Sequence, residues 1–363
     1  MRNQVAAHTE GVISTGGYVK KPSLFGSFLQ AGMGLATALM LLFGDAFAQA
    51  PAHVAPAFAV ATKDLDAPPP AWAYPTADPG YKEPPDDGRV LHVAGSAGSW
   101  TLTQTRDAFF ATDWHPEEHP QMPGVVARGR KPTVWACGYC HRADGPGGPE
   151  NAGLAGLPEK YILEQLAEFK SGARMSAFPL KSHATVMPSI AAALTEEEVA
   201  ESAAYFSSLK PRKLITVKET ERVPKTYVAG FVFAAVEGGG EEAMGNRIIE
   251  MPKDLEQFES RDTHSEFIAY VPVGSIAQGR ELATTGGNGR TLPCGTCHGA
   301  DLRGVGAVPG IAGRSPSYLV RQLYDMQHGL RAGTGSALMA PVVAKLTHED
   351  YVRLAAYAAS LTP

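Results

Sequence analysis

The feature that most constrains the fold of this chain is an internal repeat. One set of residues recurs at a constant offset of 157 positions: Leu154-Ala155-Gly156, Tyr161, Gln165-Leu166, Gly172 and Arg174 match Ile311-Ala312-Gly313, Tyr318, Gln322-Leu323, Gly329 and Arg331. A second set recurs at an offset of 152: Met187, Leu194-Thr195, Ala203-Ala204-Tyr205 and Leu209 match Met339, Leu346-Thr347, Ala355-Ala356-Tyr357 and Leu361. A match of this extent predicts two copies of one structural unit.

Both copies carry start and stop signals of α-helices. Ser315-Pro316 is typical of an N-cap followed by proline at the first helical position, and Gly329 is typical of a helix end. Capping pairs predict further helix starts at Thr195 with Glu198, Thr347 with Asp350, and Ser275 with Gln278.

The segment between the copies, residues 211–274, has a different composition. Its short β-branched and aromatic runs are Leu214-Ile215-Thr216-Val217, Tyr227-Val228-Ala229, Phe231-Val232-Phe233 and Phe267-Ile268-Ala269-Tyr270-Val271. Such runs favour strands, and Gly238-Gly239-Gly240 resembles the tip of a hairpin. We therefore predict a small antiparallel β insert here.

The N-terminal residues 1–48 are predicted to be a signal peptide. Lys20 and Lys21 precede an uncharged apolar run, residues 24–43, and Ala46-Phe47-Ala48 provides a cleavage site. The alternative is an uncleaved membrane anchor, since about 20 apolar residues can span a bilayer. Residues 49–100 are rich in proline and predict an extended arm, and Thr101 with Gln104 predicts a short helix over 101–110.

Composition excludes some classes of function. The chain has 363 residues and a net charge of −5, so it lacks the basic surface that nucleic-acid binding requires. Its nearest approach to a phosphate-binding loop, Thr285-Gly286-Gly287-Asn288-Gly289, does not follow a clear strand and is better explained as a turn.

All four cysteines lie in two C-x-x-C-H motifs. These are Cys137-Gly138-Tyr139-Cys140-His141 and Cys294-Gly295-Thr296-Cys297-His298. Two cysteines on one helical turn can each bond a haem vinyl group, and the histidine after them can then ligate the iron. Two disulfides, a Cys₄ zinc site or two thioredoxin-like redox pairs are the alternatives, but none of them needs a histidine after both pairs.

A six-coordinate haem iron needs a second axial ligand. Met187 and Met339 occupy matching places in the two copies, 46 and 41 residues after their histidines, and each precedes a proline. We predict that these methionines ligate iron from loops. Other side chains lack a counterpart in the other copy and are predicted to be packing or surface residues: Met175, His183, Met326 and His328. His115 and His119 resemble part of a metal cluster, but the sequence pattern offers no third ligand.

With these motifs in place, the chain resembles a class I cytochrome c duplicated into a diheme protein. The resemblance covers residues 122–210 (the first repeat) and 275–362 (the second repeat). It implies that Cys137, Cys140, His141 and Met187 serve one haem, and that the other is served by Cys294, Cys297, His298 and Met339. In this family a proline carbonyl commonly holds the proximal histidine. Pro309 fits that role in the second repeat, whereas the first has Ala152, which suggests haems of different potential.

We therefore predict a mainly α protein: two cytochrome c-type helical domains, 101–210 and 275–363, joined by the β insert and preceded by the signal peptide and the arm. Two covalently bound haem c groups would make it a periplasmic electron carrier between a dehydrogenase and a downstream acceptor, and not an enzyme. Its partners would be redox proteins, with membrane association only if the N-terminal segment is not cleaved. The alternatives are a diheme peroxidase-like enzyme, which needs one open haem position, and a haem-bearing subunit of a membrane-associated dehydrogenase.

Overall fold

The structure, a computed structural model, describes residues 68–77, 80–177 and 182–363, and the side chains of residues 182–185 also lie outside this description. The predicted signal peptide and residues 49–67 of the arm are therefore outside the described residues. Across the described ranges, no helix is both long enough and apolar enough to cross a membrane.

The described part of the arm packs against the rest of the protein. Ala73 and Tyr74 are buried in the core of the second repeat. The elements before the first repeat are a 3₁₀ turn Ala71–Ala73, paired strands β1 (Val90–Leu91) and β2 (Trp100–Thr101), helix α1 (Leu102–Thr105) and a second 3₁₀ turn Pro116–Glu118. The predicted capping box of Thr101 and Gln104 is confirmed.

The helix that we predicted over 101–110 is too long. It ends at Thr105, and the carboxylate of Asp107 accepts a hydrogen bond from the backbone N–H of Phe109. Such a local side-chain bond offers the backbone an alternative to the helical pattern.

The first repeat folds into helices around one apolar core. They are α2 (Gly124–Ala127), α3 (Cys137–His141), α4 (Glu159–Ser171), α5 (Ser182–Ala193) and α6 (Glu196–Ser208). The capping box of Thr195 and Glu198 opens α6 as predicted, and Gly172 ends α4 in the left-handed region at φ 78°.

The second repeat is also built of helices. They are α8 (Ser275–Thr285), α9 (Gly295–His298), α10 (Pro316–Gln327), α11 (Thr334–Ala337), α12 (Ala340–Val343) and α13 (His348–Ser360). The predicted caps at Ser315 and Thr347 are confirmed. Ser275 does not cap α8, because Gly274 takes the N-cap position at φ 85° and Ser275 becomes the first helical residue.

The repeats differ where their first helices lie. α8 has 11 residues and crosses α13 so closely that a Cβ at Gly279 would lie 1.9 Å from the carbonyl oxygen of Arg353. The corresponding helix of the first repeat, α2, has only four residues. The two repeats are therefore similar around the C-x-x-C-H turns but not at their N-terminal ends.

The insert is a β structure of mixed direction, not the purely antiparallel one that we predicted. Its elements are β3 (Ile215–Glu219), β4 (Arg222–Pro224), β5 (Thr226–Ala229), β6 (Val232–Ala235), β7 (Glu241–Ala243), β8 (Ile249–Pro252), α7 (Leu255–Glu259) and β9 (Phe267–Val271). β9 pairs antiparallel with β8 but parallel with β3, in the register Ile215 to Phe267. The long crossover between β3 and β9 makes the parallel pairing possible.

Two further features of the insert are the position of its hairpin tip and its packing against the second repeat. Gly238-Gly239-Gly240 is the connection between β6 and β7, and the hairpin tip lies instead at Gly230 and Phe231, between β5 and β6. β3 and β9 contribute Ile215, Phe267 and Val271 to the core of the second repeat. Helices and strands are thus both substantial in the described chain, and the architecture is mixed α and β.

Candidate functional site

Each C-x-x-C-H motif forms one helical turn, α3 in the first repeat and α9 in the second. None of the four cysteines forms a disulfide. Burial raises the pKa of Cys137 to about 12 and that of Cys140 to about 11, and it raises the pKa of Cys294 to about 11. These thiols stay protonated at neutral pH, whereas a thioredoxin-like pair needs a thiol of lowered pKa.

The two histidines are held in the same way. His141 Nδ1 lies 2.8 Å from the carbonyl oxygen of Ala152, and His298 Nδ1 lies 2.8 Å from that of Pro309. Burial lowers the pKa of both imidazoles, which favours the neutral ring. A neutral ring that donates from Nδ1 keeps the lone pair of Nε2 for a metal.

These hydrogen bonds correct one expectation from the sequence. The acceptor is a backbone carbonyl, so alanine at position 152 provides the same contact as proline at position 309. The difference between the two residues therefore gives no reason for the two sites to differ.

The predicted methionines lie in different local structures. Met187 is inside helix α5, next to Pro188, and not on a loop. It lines a cavity of about 170 Å³ and another of about 310 Å³, and His141 lines both of them. Met339 lies at the N-cap of α12, where it and Cys294 pack against the same apolar core.

The structure shows the surroundings of three of the four other candidate side chains. Met175 also lines the 170 Å³ cavity, so the first repeat brings two thioethers to this cavity. Met326 packs against the core of the second repeat, and the His328 ring stacks on Tyr324 at 4.0 Å between centroids. The side chain of His183 lies outside the described residues.

The cavities at His141 allow a test of whether a haem fits the first site. Arg174 and Arg321 line the smaller cavity, which gives positive charge to a site that would receive the two carboxylates of a haem. Cys140 lines the larger cavity. Thiol, imidazole, thioether and guanidinium groups thus line two cavities that share His141 and Met187, and this donor set suits a covalently attached haem.

The structure groups His115 with Glu118 and His264, and not with His119, whose Nε2 lies 3.1 Å from the carboxylate of Asp113. His115, Glu118 and His264 each place a potential ligand atom within 4.8 Å of the others. However, the rings of His115 and His264 are stacked, 3.7 Å apart and only 9° from parallel. The lone pairs of parallel stacked rings cannot point at one ion, and Glu118 also pairs with Arg212 at 2.6 Å. The arrangement therefore favours a hydrogen-bonded cluster over a metal site.

The two repeats meet through a network of approximate two-fold symmetry. Arg174 donates to Gln165 of its own repeat at 2.8 Å, and also to Tyr318 and Gln322 of the other repeat at 2.9 and 3.1 Å. Arg331 makes the equivalent set of bonds: to Gln322 at 3.0 Å, and to Tyr161 and Gln165 at 2.8 Å each. Sequence comparison had identified these six residues as repeated, but only the structure shows that they bind one another.

Backbone bonds strengthen the same interface. The N–H of Met175 donates to the carbonyl of Leu330 at 2.7 Å, and that of Ala332 donates to Ala173 at 2.8 Å. Arg314 donates to the carbonyls of Gly153 and Ala155, at 2.9 Å each. Because Arg174 and Met175 also line the first cavity, the interface between the repeats begins at the wall of the first site.

A pair of thiols on one turn, followed by a histidine held through Nδ1 and with a thioether on the same cavity, is the arrangement of a c-type cytochrome. Comparison with known proteins agrees with this class. Residues 126–210 match the sequence profile of the family described as Cytochrome c. Cytochrome c-554(548) of Halomonas halodenitrificans is 37% identical over 68 residues, which cover 18% of this chain and 82% of that protein.

Two other matches extend over a larger share of the chain. The thiosulfate dehydrogenase electron acceptor of Thiomonas intermedia (strain K12) is 29% identical over 222 residues, covering 60% of this chain and 74% of that protein. A solved structure of thiosulfate dehydrogenase from Marichromatium purpuratum is 29% identical over 65% of this chain, with a TM-score of 0.43. The chain spans only 38% of the length of that structure.

The chain belongs to the cytochrome c family. It is a diheme class I cytochrome c with covalently bound haem c, and it is an electron-transfer protein.

Proposed function

We propose that this protein is a periplasmic diheme carrier that passes electrons between a dehydrogenase and a downstream acceptor. Its two haem domains would be residues 101–210 and 275–363, joined by the insert 211–274. The observation that carries the proposal is the repetition of the C-x-x-C-H turn with its histidine bond: each histidine donates to the carbonyl 11 residues later.

The proposed ligands are His141 and Met187 for the first haem, and His298 and Met339 for the second. Haem iron supplies one-electron redox chemistry when it is bound, and filled axial positions leave no open site for a substrate. Cys137, Cys140, Cys294 and Cys297 would hold the haems covalently. The chain's own contribution is to orient the imidazoles, supply the thioethers and exclude water from the first cavity.

The interface supports electron transfer between the two haems. Arg174 and Arg331 fix the repeats against each other through side chains that come from both of them. A fixed arrangement keeps the distance between two redox centres constant, which a flexible linker would not do. We propose that electrons enter at one haem and leave at the other.

The test of ligation uses absorption spectra of the protein expressed with cytochrome c maturation machinery. A pyridine haemochrome assay should find two haems, and the oxidised protein should show the weak far-red band of sulfur-to-iron bonding. Met187→Ala and Met339→Ala should each remove about half of that band. Met175→Leu and Met326→Leu are the matched controls and should leave it intact.

Other results would decide against the proposal. One covalent haem would refute the duplicated site, and loss of the band in Met175→Leu with its retention in Met187→Ala would assign the first ligand to Met175. A high-spin signal from one haem of the unmodified protein would support the peroxidase-like alternative, because such a haem has an open position.

The name of the Thiomonas intermedia relative suggests a donor to test first. Thiosulfate dehydrogenase supplied with thiosulfate should reduce the oxidised protein rapidly, while thiosulfate alone should not. Absence of reduction would leave the electron-carrier proposal in place but exclude this donor.

A further inference from the structure

Arg142 has a backbone conformation that normally requires glycine. It directly follows His141, with φ 68° and ψ 162°. The equivalent residue of the second repeat is Gly299, with φ 83° and ψ 156°. This region is essentially restricted to glycine, and other residues persist there only where the surroundings enforce it. The first repeat therefore keeps an arginine at a position where the same backbone is easier for glycine.

The Arg142 side chain is buried beside the first haem site. Only 4% of the residue is exposed, and it lines the 310 Å³ cavity together with Cys140, His141 and Met187. Its Nη2 donates weakly to the carbonyl oxygen of Phe258 at 3.5 Å, and its guanidinium lies 5.0 Å from the centre of the Phe258 ring. Its Nη1 has no hydrogen-bond partner among the described residues.

The charge of Arg142 is only partly balanced. Glu150 Oε1 lies 3.9 Å from Nη2, beyond hydrogen-bond distance. A second guanidinium, Arg261, lines the same cavity and donates to the backbone carbonyls of Thr105 and Tyr139, at 2.7 and 2.9 Å. Three guanidinium groups (Arg106, Arg142 and Arg261) and three carboxylates (Glu83, Glu150 and Glu259) line the cavity, and Arg106 lies 3.7 Å from Glu83. Arg142 is the cation that directly follows His141 in the chain. Position 299, which matches Arg142, carries no charge.

We propose that Arg142 raises the reduction potential of the first haem above that of the second, so that electrons flow from the second haem to the first. This inference rests on the proposed diheme electron carrier. A positive charge stabilises the reduced iron relative to the oxidised iron, which carries one more positive charge. Burial makes this effect strong because little water screens the charge. Phe258, from helix α7 of the insert, holds the guanidinium in place.

The experiment is a spectroelectrochemical titration of the holoprotein and its variants. Arg142→Gln removes the charge, Arg142→Lys retains it, and Arg142→Gly reproduces the residue of the second repeat. A unit charge about 10 Å from a redox centre, at an effective dielectric constant of about 20, changes the equilibrium constant roughly tenfold. For one electron, a tenfold change corresponds to about 59 mV.

We expect the higher-potential step to move down by about this amount in Arg142→Gln and Arg142→Gly, while the lower-potential step stays in place. Arg142→Lys should keep both steps near their original potentials. Lys160→Gln is the matched control, because it removes one positive charge from a side chain of the same repeat that is 72% exposed. Water screens that charge, so neither step should move.

The potentials separate this role from a purely structural one. If Arg142 only holds the insert, its loss changes the unfolding transition and leaves both potentials unchanged, which would overturn the proposal. A shift of the lower-potential step, or an equal shift of both, would also overturn it. Haem count and the far-red band, recorded on the same samples, show independently whether the proposed diheme carrier itself is correct.

Discussion

Removal of one arginine from the interface network should lower the free energy of unfolding by less than half as much as removal of both arginines. In Arg331→Met, Gln165 and Gln322 each keep a hydrogen bond from Arg174, at 2.8 and 3.1 Å. Both glutamines lose the bond that Arg331 donates, and the hydroxyl of Tyr161 loses the one bond that the network gives it. Since such a bond contributes about 1.5–3 kcal/mol, we expect the free energy of unfolding to fall by about 2–3 kcal/mol.

The double variant Arg174→Met with Arg331→Met removes every donor that the network gives to the two glutamine oxygens. An unsatisfied buried acceptor costs about 1–3 kcal/mol. Gln165 is buried and Gln322 is half-buried. The loss in the double variant should therefore exceed the sum of the single losses by at least about 2 kcal/mol, as expected for residues that share partners.

Denaturant unfolding of the holoprotein, followed by far-ultraviolet circular dichroism and by haem absorption, measures these losses. Arg222→Met is the matched control, because Arg222 is 60% exposed where it pairs with Glu241 and should contribute less than about 1 kcal/mol. Additive losses in the double variant, or a loss in Arg331→Met no larger than in the control, would refute the shared-acceptor reasoning.

Three further predictions follow from buried positions. Burial raises the pKa of Asp325 to about 7, so the folded protein retains a proton that the unfolded chain releases above about pH 4. The stability of the protein should therefore fall as the pH rises from about 4 to 7. Asp325→Asn should remove this fall in melting temperatures measured across that range, and parallel profiles of the two proteins would contradict the prediction. Pro309→Ala should leave the potential of the second haem unchanged in a redox titration, because His298 bonds a backbone carbonyl; a clear shift would show that the proline ring matters. Gly279→Ala should lower the unfolding free energy by about 1–3 kcal/mol in a denaturant titration, since its Cβ would meet the carbonyl of Arg353, and an unchanged midpoint would show that α8 can move aside.

Local chemistry explains which parts of the fold were predictable from the sequence. The caps at Thr195, Ser315 and Thr347 depend on residues three positions apart, so the sequence shows them directly. The parallel pairing of β3 with β9 depends on strands separated by a long crossover, and no local pattern encodes it. The position of Met187 inside a helix was also missed, because Pro188 suggests a loop.

Some residues of the candidate site could be predicted from the sequence, and others could not. The C-x-x-C-H motifs identify their own chemistry, and the matched methionines could be found by comparing the repeats. The repeat comparison also found Tyr161, Gln165 and Arg174, but it could not distinguish residues that are repeated because they form the core from residues that join the two copies. Arg142 gave no signal beyond its difference from Gly299, and its importance depends on burial against a segment more than 100 residues away.

The insert explains why the two haem sites of a duplicated protein need not be equivalent. β3 and β9 belong to the core of the second repeat, and Glu250 of β8 accepts hydrogen bonds from Ser315 and from the N–H of Ser317 at the start of α10. The same insert reaches the first repeat, where Phe258 and Arg261 line the cavity at His141. A segment anchored on one repeat thus forms part of the other repeat's site. Because the second repeat has Gly299 where the first has Arg142, the charge held by this segment belongs to the first site, and the proposed effect of Arg142 makes the two duplicated redox centres unequal.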